Sequence, residues 1–186
     1  MEDIYEIRLH GRGGQGAKTA SQFIAQAALT KGKNIQAFPE YGPERTGAPM
    51  KAFVRISDKI IHSFAPVVNP DVVLVIDPTL LEKIKVAEGL TDKGILIVNT
   101  PNDSNWVKEK TGFNGACYTL DATKISLETV GKNFPNTPML GALIKITNCV
   151  TMEATEEVIK EKFLHKIGEQ KTQATIEAIQ KAHDSV

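Results

Sequence analysis

Cysteine is nearly absent: Cys117 and Cys149 are the only two in 186 residues, far apart and in no C-x-x-C spacing. A disulfide framework, a structural zinc site or an iron–sulfur cluster would need more sulfur, so none is written here. Two lone thiols fit a reducing, cytoplasmic interior. Net charge is missing as well. The 22 Lys and Arg residues balance 22 Asp and Glu, which leaves no overall positive field to recruit nucleic acid or an anionic membrane. No apolar run approaches the roughly 20 residues of a membrane span, and the acidic start Met1-Glu2-Asp3 is unlike a signal peptide. Repeats and low-complexity tracts are lacking too. A nucleophile elbow G-x-S-x-G, an H-E-x-x-H helix and an EF-hand loop do not occur. His10, His62, His165 and His183 show no mutual ligand spacing. These absences predict a soluble single domain over residues 1–186 with no nucleic-acid and no membrane partner.

What is present alternates strand and helix. Ile4 to His10 reads as a first strand, with Ile7 and Leu9 alternating with Glu6 and Arg8. Residues 16–33 read as a helix, with Thr19, Phe23 and Ala27 at i, i+4 spacing and Gly32 as a plausible C-cap. "NIQAFP" predicts a short second strand and Met50 to Ser57 a third, with Lys59 to Ser63 available as a hairpin arm. "DVVLVID" and "GILIVNT" are continuous β-branched runs, the pattern of strands buried on both faces. "GACYTLDA" is a weaker last strand. The tail turns helical: Thr137 and Pro138 stand in the favoured N-cap and N1 order before a segment apolar nearly all round. Two amphipathic helices follow. The pattern predicts an α/β fold, a three-layer α/β/α sandwich around a mostly parallel or mixed sheet, with a helical C-terminal part.

Between first strand and first helix stand Gly11, Arg12, Gly13, Gly14, Gln15 and Gly16, a G-x-G-x-x-G arrangement in the context that motif requires. Glycine accepts the turn's positive φ and lets backbone N–H groups approach an anion, while the helix N-terminus offers unpaired donors. A tight structural turn would use the same glycines. A Walker P-loop is disfavoured because Lys18 arrives one residue late, a rotation of about 100° around the helix. A dinucleotide-binding Rossmann unit wants an acid near the end of the second strand, and Glu40 beyond Pro39 suits that poorly.

The second constellation is "EYGPERTGAPM", Glu40 to Met50. It is either a solvated connection or a wall of the same crevice, since loops at the carboxyl ends of neighbouring strands converge. In the second case Arg45 and Arg12 supply guanidinium forks to phosphate. Lys51 and Arg55 on the following strand are expected to face solvent. Asp77, before Pro78, caps the next turn or faces the crevice, and His10 is expected to pack at a strand end. Trp106 is placed over one end of the sheet.

The blocks "HGRGGQGAKTASQ", "QAFPEYGPERTGAPMKAF", "VNPDVVLVIDPTLLE", "KTGFNG" and "PNTPMLGALIKIT" together resemble the gamma chains of the 2-oxoacid:ferredoxin oxidoreductases, closest to the pyruvate type. The resemblance runs from about Ile4 to Phe163. It implies a multi-subunit enzyme that oxidatively decarboxylates a 2-oxoacid with coenzyme A, giving acyl-CoA, carbon dioxide and reduced ferredoxin or flavodoxin. Thiamine diphosphate with magnesium and the 4Fe-4S clusters would sit on the alpha, beta and delta subunits, while the gamma domain closes over coenzyme A. Lacking both a Gly-Asp-Gly that would begin a thiamine-diphosphate motif and the cysteines of a cluster, this chain would not perform the redox step alone.

On this resemblance Gly11, Arg12, Gly13, Gly14, Gln15 and Gly16 line the coenzyme A or interface crevice, with Arg12 or Lys18 toward phosphate. Tyr41, Gly42, Pro43, Glu44, Arg45, Thr46 and Gly47 form a wall, with Arg45 the leading phosphate or adenine contact. Gly141, inside the helix 138–146, is expected to serve close packing. Other readings remain open at this stage. They are a branched-chain 2-oxoacid or 2-oxoglutarate enzyme, a free-standing NAD(P)-binding protein, and a structural bridge whose glycine loop packs against protein.

Overall fold

The computed structural model describes residues 4–41 and 47–186. Its frame is a six-stranded mixed sheet of spatial order β2-β3-β1-β4-β5-β6. The strands are β1 (Tyr5–Arg12), β2 (Asn34–Tyr41), β3 (Pro49–Ser57), β4 (Val72–Val75), β5 (Ile95–Asn99) and β6 (Ala116–Leu120). β1, β4, β5 and β6 run parallel, whereas β3 pairs antiparallel with both β1 and β2. The β-branched runs of β4 and β5 do lie at the centre, buried on both faces.

The two faces are covered unequally. One carries α1 (Ala17–Leu29), α3 (Ala122–Thr129), α4 (Pro138–Thr147), α5 (Met152–Ile167) and α6 (Glu169–Asp184), packed on Ile7, Leu9, Val54, Leu74 and Ile97. α4 is apolar on every side because it is sandwiched between the sheet and α6. Gly141 permits that approach, since a Cβ there would overlap the Ile179 carbonyl oxygen of α6. The other face is thinner, with α2 (Ser104–Thr111) and a 3-10 turn at Pro78–Glu82 over Val73, Val75, Leu96 and Val98.

Two expectations are corrected on that thinner face. Residues 59–63 form no hairpin arm; the chain leaves β3 as coil. Arg55 does not face solvent. It is 3% exposed, donating to Glu6 Oε1 at 2.7 Å, Gln36 Oε1 at 2.7 Å and the Ala65 carbonyl at 2.7 Å. Arg8, one register further on the same face, is buried as well and donates to the Val86 and Glu88 carbonyls. Coil has unpaired carbonyls that strands and helices do not, and a buried carbonyl needs a donor. The two guanidiniums supply those donors and so fasten residues 58–70 and 83–90 over the sheet. The hydrophobic alternation of β1 thus separates two interiors, one apolar and one hydrogen-bonded.

Gly32 also departs from its expected role. α1 ends at Leu29 with Thr30 as C-cap, and Gly32 takes its positive φ of 76° in the turn beyond. Gly141→Ala is expected to lower unfolding stability by about 3 kcal/mol through overpacking against α6. An unchanged urea midpoint would show that α4 and α6 do not touch there.

Candidate functional site

The site begins where β1 runs out. Gly14 and Gly16 adopt φ of 97° and 80°, and Gly16 is the left-handed N-cap of α1. At Gly11 a Cβ would meet that of Ala17 at 3.4 Å, an ordinary contact, so that position does not itself demand glycine. The loop is tied down on one side. The Arg12 N–H donates to Gln15 Oε1 at 2.7 Å, and the Gln15 N–H donates to the Arg12 carbonyl at 3.0 Å. The Gly13 N–H donates to the Ala48 carbonyl and the Gly47 N–H to the Gly13 carbonyl, so the far end of the second constellation docks on the first.

Arg12 and Asp77 make the strongest link. Arg12 Nε lies 3.1 Å from Asp77 Oδ2, which also accepts from Gln15 Nε2 at 2.7 Å. Asp77 Oδ1 caps the 3-10 turn, accepting from the Thr79 N–H at 2.9 Å and its hydroxyl at 2.7 Å. Burial by itself raises the Asp77 pKa, but the bonds from Thr79 and Gln15 and the Arg12 charge outweigh it and hold the carboxyl below its usual range. Asp77 therefore caps the next turn, the first of the two roles weighed from sequence. Arg12 spends further donors on the Gly47 carbonyl at 3.1 Å and Thr79 Oγ1 at 2.8 Å, leaving at most two of its five N–H groups for a ligand.

The opposite side of the loop is uncommitted. α1 has no side-chain cap, and the N–H groups of Gly16, Ala17, Lys18 and Thr19 have no partner among the described residues. Gly14, Gln15, Gly16 and Thr19 line a cleft of about 490 Å³ that reaches Lys132, Phe134, Asn136 and Lys171. Sequence spacing offered no signal for these four residues; the turn before α4 and the start of α6 are brought to α1 only by folding. Tyr41 ends β2 opposite Met50, while Gly42, Pro43, Glu44, Arg45 and Thr46 lie outside the described residues. Lys18 is exposed. At the neighbouring strand end Asn99 ties the Ile76 carbonyl to Thr123.

Comparison with known proteins decides the family. The model for pyruvate ferredoxin/flavodoxin oxidoreductase matches residues 6–185. The chain belongs to this family. It is 52% identical to pyruvate synthase subunit PorC of Thermotoga maritima over 98% of this chain and 94% of that one. It is 48% identical to the common gamma subunit of the pyruvate/ketoisovalerate oxidoreductases of Thermococcus kodakarensis, over 96% and 97% of the two chains. A crystal structure of the Thermotoga maritima pyruvate oxidoreductase subunit superposes with a TM-score of 0.89 at 49% identity, covering 99% and 97%. At 20% identity the fold alone is shared with a 2-oxoglutarate:ferredoxin oxidoreductase from Magnetococcus marinus, at a TM-score of 0.80 over 32% of that chain.

The topology of this family member also speaks against a dinucleotide fold. A Rossmann β2 runs parallel beside β1 and presents its acid to the ribose. Here antiparallel β3 intervenes, placing Glu40 roughly 10 Å from β1 in the sheet direction and near Lys51 at 3.8 Å. Among the described residues no three His, Cys, Asp or Glu side chains gather as a metal site.

His10 packs at the strand end, as expected, and is 1% exposed. Its Nε2 accepts from Arg8 Nε at 3.1 Å, so the ring proton sits on Nδ1, which has no partner among the described residues. Burial, then the Arg8 and Lys51 charges, push its pKa from 6.5 down to about 3. Between those values the unfolded chain binds the extra proton and the folded chain does not. Stability is accordingly lost as pH falls below the unfolded value, by up to about 1.4 kcal/mol per pH unit. In denaturant titrations at pH 7 and pH 5, His10→Gln is expected to show the smaller difference; equal differences would return the slope to other groups.

Proposed function

We propose that this chain is the gamma subunit of a 2-oxoacid:ferredoxin oxidoreductase, of the pyruvate type, acting as one domain of a cytoplasmic complex. It contributes to the coenzyme A site and to assembly while pyruvate is oxidatively decarboxylated to acetyl-CoA, carbon dioxide and reduced ferredoxin or flavodoxin. The observation that carries the reading is the near end-to-end match to pyruvate-type subunits, together with an uncapped α1 N-terminus beside the glycine loop. Free amides at a helix N-terminus suit the phosphates of coenzyme A. The fold-related Magnetococcus marinus enzyme was solved with coenzyme A bound, which agrees with that assignment.

The alpha, beta and delta subunits would hold the thiamine diphosphate, magnesium and 4Fe-4S clusters, which supply the carbanion and the electron path. This chain's residues do not fit those groups. Cys117 and Cys149 are free and separately placed, and burial raises both thiols. Its own work is to orient a thiol substrate and exclude water when docked. Docking surface is present on the 58–70 coil, where Ile60, Phe64 and Val68 stand exposed, Phe64 at 83%.

Expressed with its neighbours, the chain is expected to co-purify with a thiamine-binding chain and a cysteine-rich chain. Only that complex should reduce a low-potential acceptor with pyruvate and coenzyme A. Turnover by the isolated chain, or purification without those companions, would overturn the reading. Phe64→Asp should release the chain from the complex with its thermal midpoint unchanged. Within the assembled enzyme, Arg45→Ala is expected to raise the KM for coenzyme A about tenfold, the worth of one charge-assisted contact; an unchanged KM would remove Arg45 from the site.

A further inference from the structure

Among the described residues, His10 Nδ1 is the one buried side-chain atom left without a hydrogen-bond partner. His10 forms the floor of a separate cavity, of about 370 Å³, on the coil-covered face of the sheet. It stands in one row with Lys51 and Glu40, opposite each other on β1, β3 and β2. The coil carrying Ile84, Lys85 and Glu88 makes the facing wall. The proposed function leaves this cavity unassigned.

The ring's own chemistry fixes what can complete it. A guanidinium N–H only donates, so the bond from Arg8 Nε at 3.1 Å takes Nε2 as acceptor and leaves the proton of the neutral ring on Nδ1. Burial and the Arg8 and Lys51 charges keep that ring neutral. The Val86 carbonyl is close enough to act on the ring, yet its bond is with Arg8 at 3.0 Å and not with Nδ1. A buried donor without an acceptor carries an uncompensated desolvation cost. What is missing is therefore an acceptor.

The rim narrows the choice. Lys51 reaches Glu40 only at 3.8 Å, and exposed Lys85 and Glu88 enter no ion pair among the described residues. Two ammonium groups beside a donor favour an anion. Two glutamates on the same rim oppose a doubly charged phosphate, as unpaired like charge does against a wrong ligand. A single carboxylate meets both conditions. The wall also leads to the exposed side chains of Ile60, Phe64 and Val68. Arg8 donates to the Val68 carbonyl at 3.4 Å as well as to that of Val86, and Gly89 packs so closely that a Cβ would overlap the Val68 carbonyl oxygen. The cavity and the apolar patch thus form one continuous surface, an apolar contact area with a charged anchor at its edge.

We propose that a partner subunit inserts an Asp or Glu side chain into this cavity on assembly, its carboxylate accepting from His10 Nδ1 and lying between Lys51 and Lys85. The inference rests on the gamma-subunit reading and adds to it one anchoring point and the chemistry that occupies it.

The test uses the assembled complex. Zero-length carbodiimide coupling, which joins only touching amines and carboxylates, is expected to link Lys51 or Lys85 to an Asp or Glu of another subunit, located by mass spectrometry. His10→Gln keeps an acceptor for Arg8 where Nε2 stood and removes the Nδ1 donor. On dilution followed by sedimentation, its complex should dissociate at about tenfold higher concentration, the worth of one hydrogen bond to a charged group, while the isolated chain keeps its thermal midpoint. His10→Asn, which restores an N–H near Nδ1 and drops the Arg8 bond, should show the reverse: assembly as in the parent and a lower midpoint. Lys51→Ala/Lys85→Ala should loosen the complex as His10→Gln does. Cross-links confined to this chain, or unchanged dissociation of the His10→Gln complex, would overturn the proposal and leave the gamma-subunit reading standing. Added acetate that protects Lys51 and Lys85 from coupling in the isolated chain, with no link between subunits in the complex, would overturn it in favour of a free carboxylate ligand. A parent chain that enters no complex would defeat the gamma-subunit reading itself.

Discussion

The pairing of Arg12 with Asp77 holds the functional end of this molecule in shape. It joins the carboxyl ends of two neighbouring parallel strands; Gln15 and Thr79 donate to the same carboxylate, and the Gly47 carbonyl accepts from the Arg12 guanidinium. The pair is only partly exposed, which lets the attraction exceed that of a surface ion pair. Each partner is also satisfied by further hydrogen bonds, the condition under which a half-buried pair is tolerated rather than costly. Its consequence is directional. Because the tie lies on one side of the glycine turn, the amides of the α1 N-terminus on the other side stay free.

A second polar interior supports the opposite face. Arg8 and Arg55 lie under coil instead of helix and give their donors to backbone carbonyls and to Glu6 and Gln36. Irregular chain is thus tied to the sheet by hydrogen bonds from buried guanidiniums. It is also the place where Ile60, Phe64 and Val68 remain exposed. A monomer rarely leaves apolar side chains grouped this way, which suits a chain whose working state is a complex.

The two faces therefore divide the labour. The helical face supplies an α1 whose first N–H groups are uncapped, with α4 lying against α6 and no Cβ between them at Gly141. The coil face carries the exposed apolar side chains Ile60, Phe64 and Val68. Among the described residues no three His, Cys, Asp or Glu side chains gather as a metal site, and both cysteines are free.

By itself the sequence determined the layers and their order. Continuous β-branched runs mark strands buried on both faces, the apolar 138–146 helix marks an interior element, and the glycines after β1 mark the turn into α1. The two-cysteine count likewise leaves this chain without the ligands of a four-cysteine cluster. Such features are local, carried by periodicity or composition. The partners were decided only by tertiary structure. Arg55 looks solvent-facing on its strand and is buried because coil crosses it. Glu40, already poorly suited beyond Pro39 to hold a ribose, is stranded one antiparallel neighbour away from β1. Asn136 and Lys171 become neighbours of Gly16 although more than a hundred residues separate them along the chain. Long-range juxtaposition has no period in the sequence, because it follows from which strand inserts beside which and which helix end the closing loops can reach.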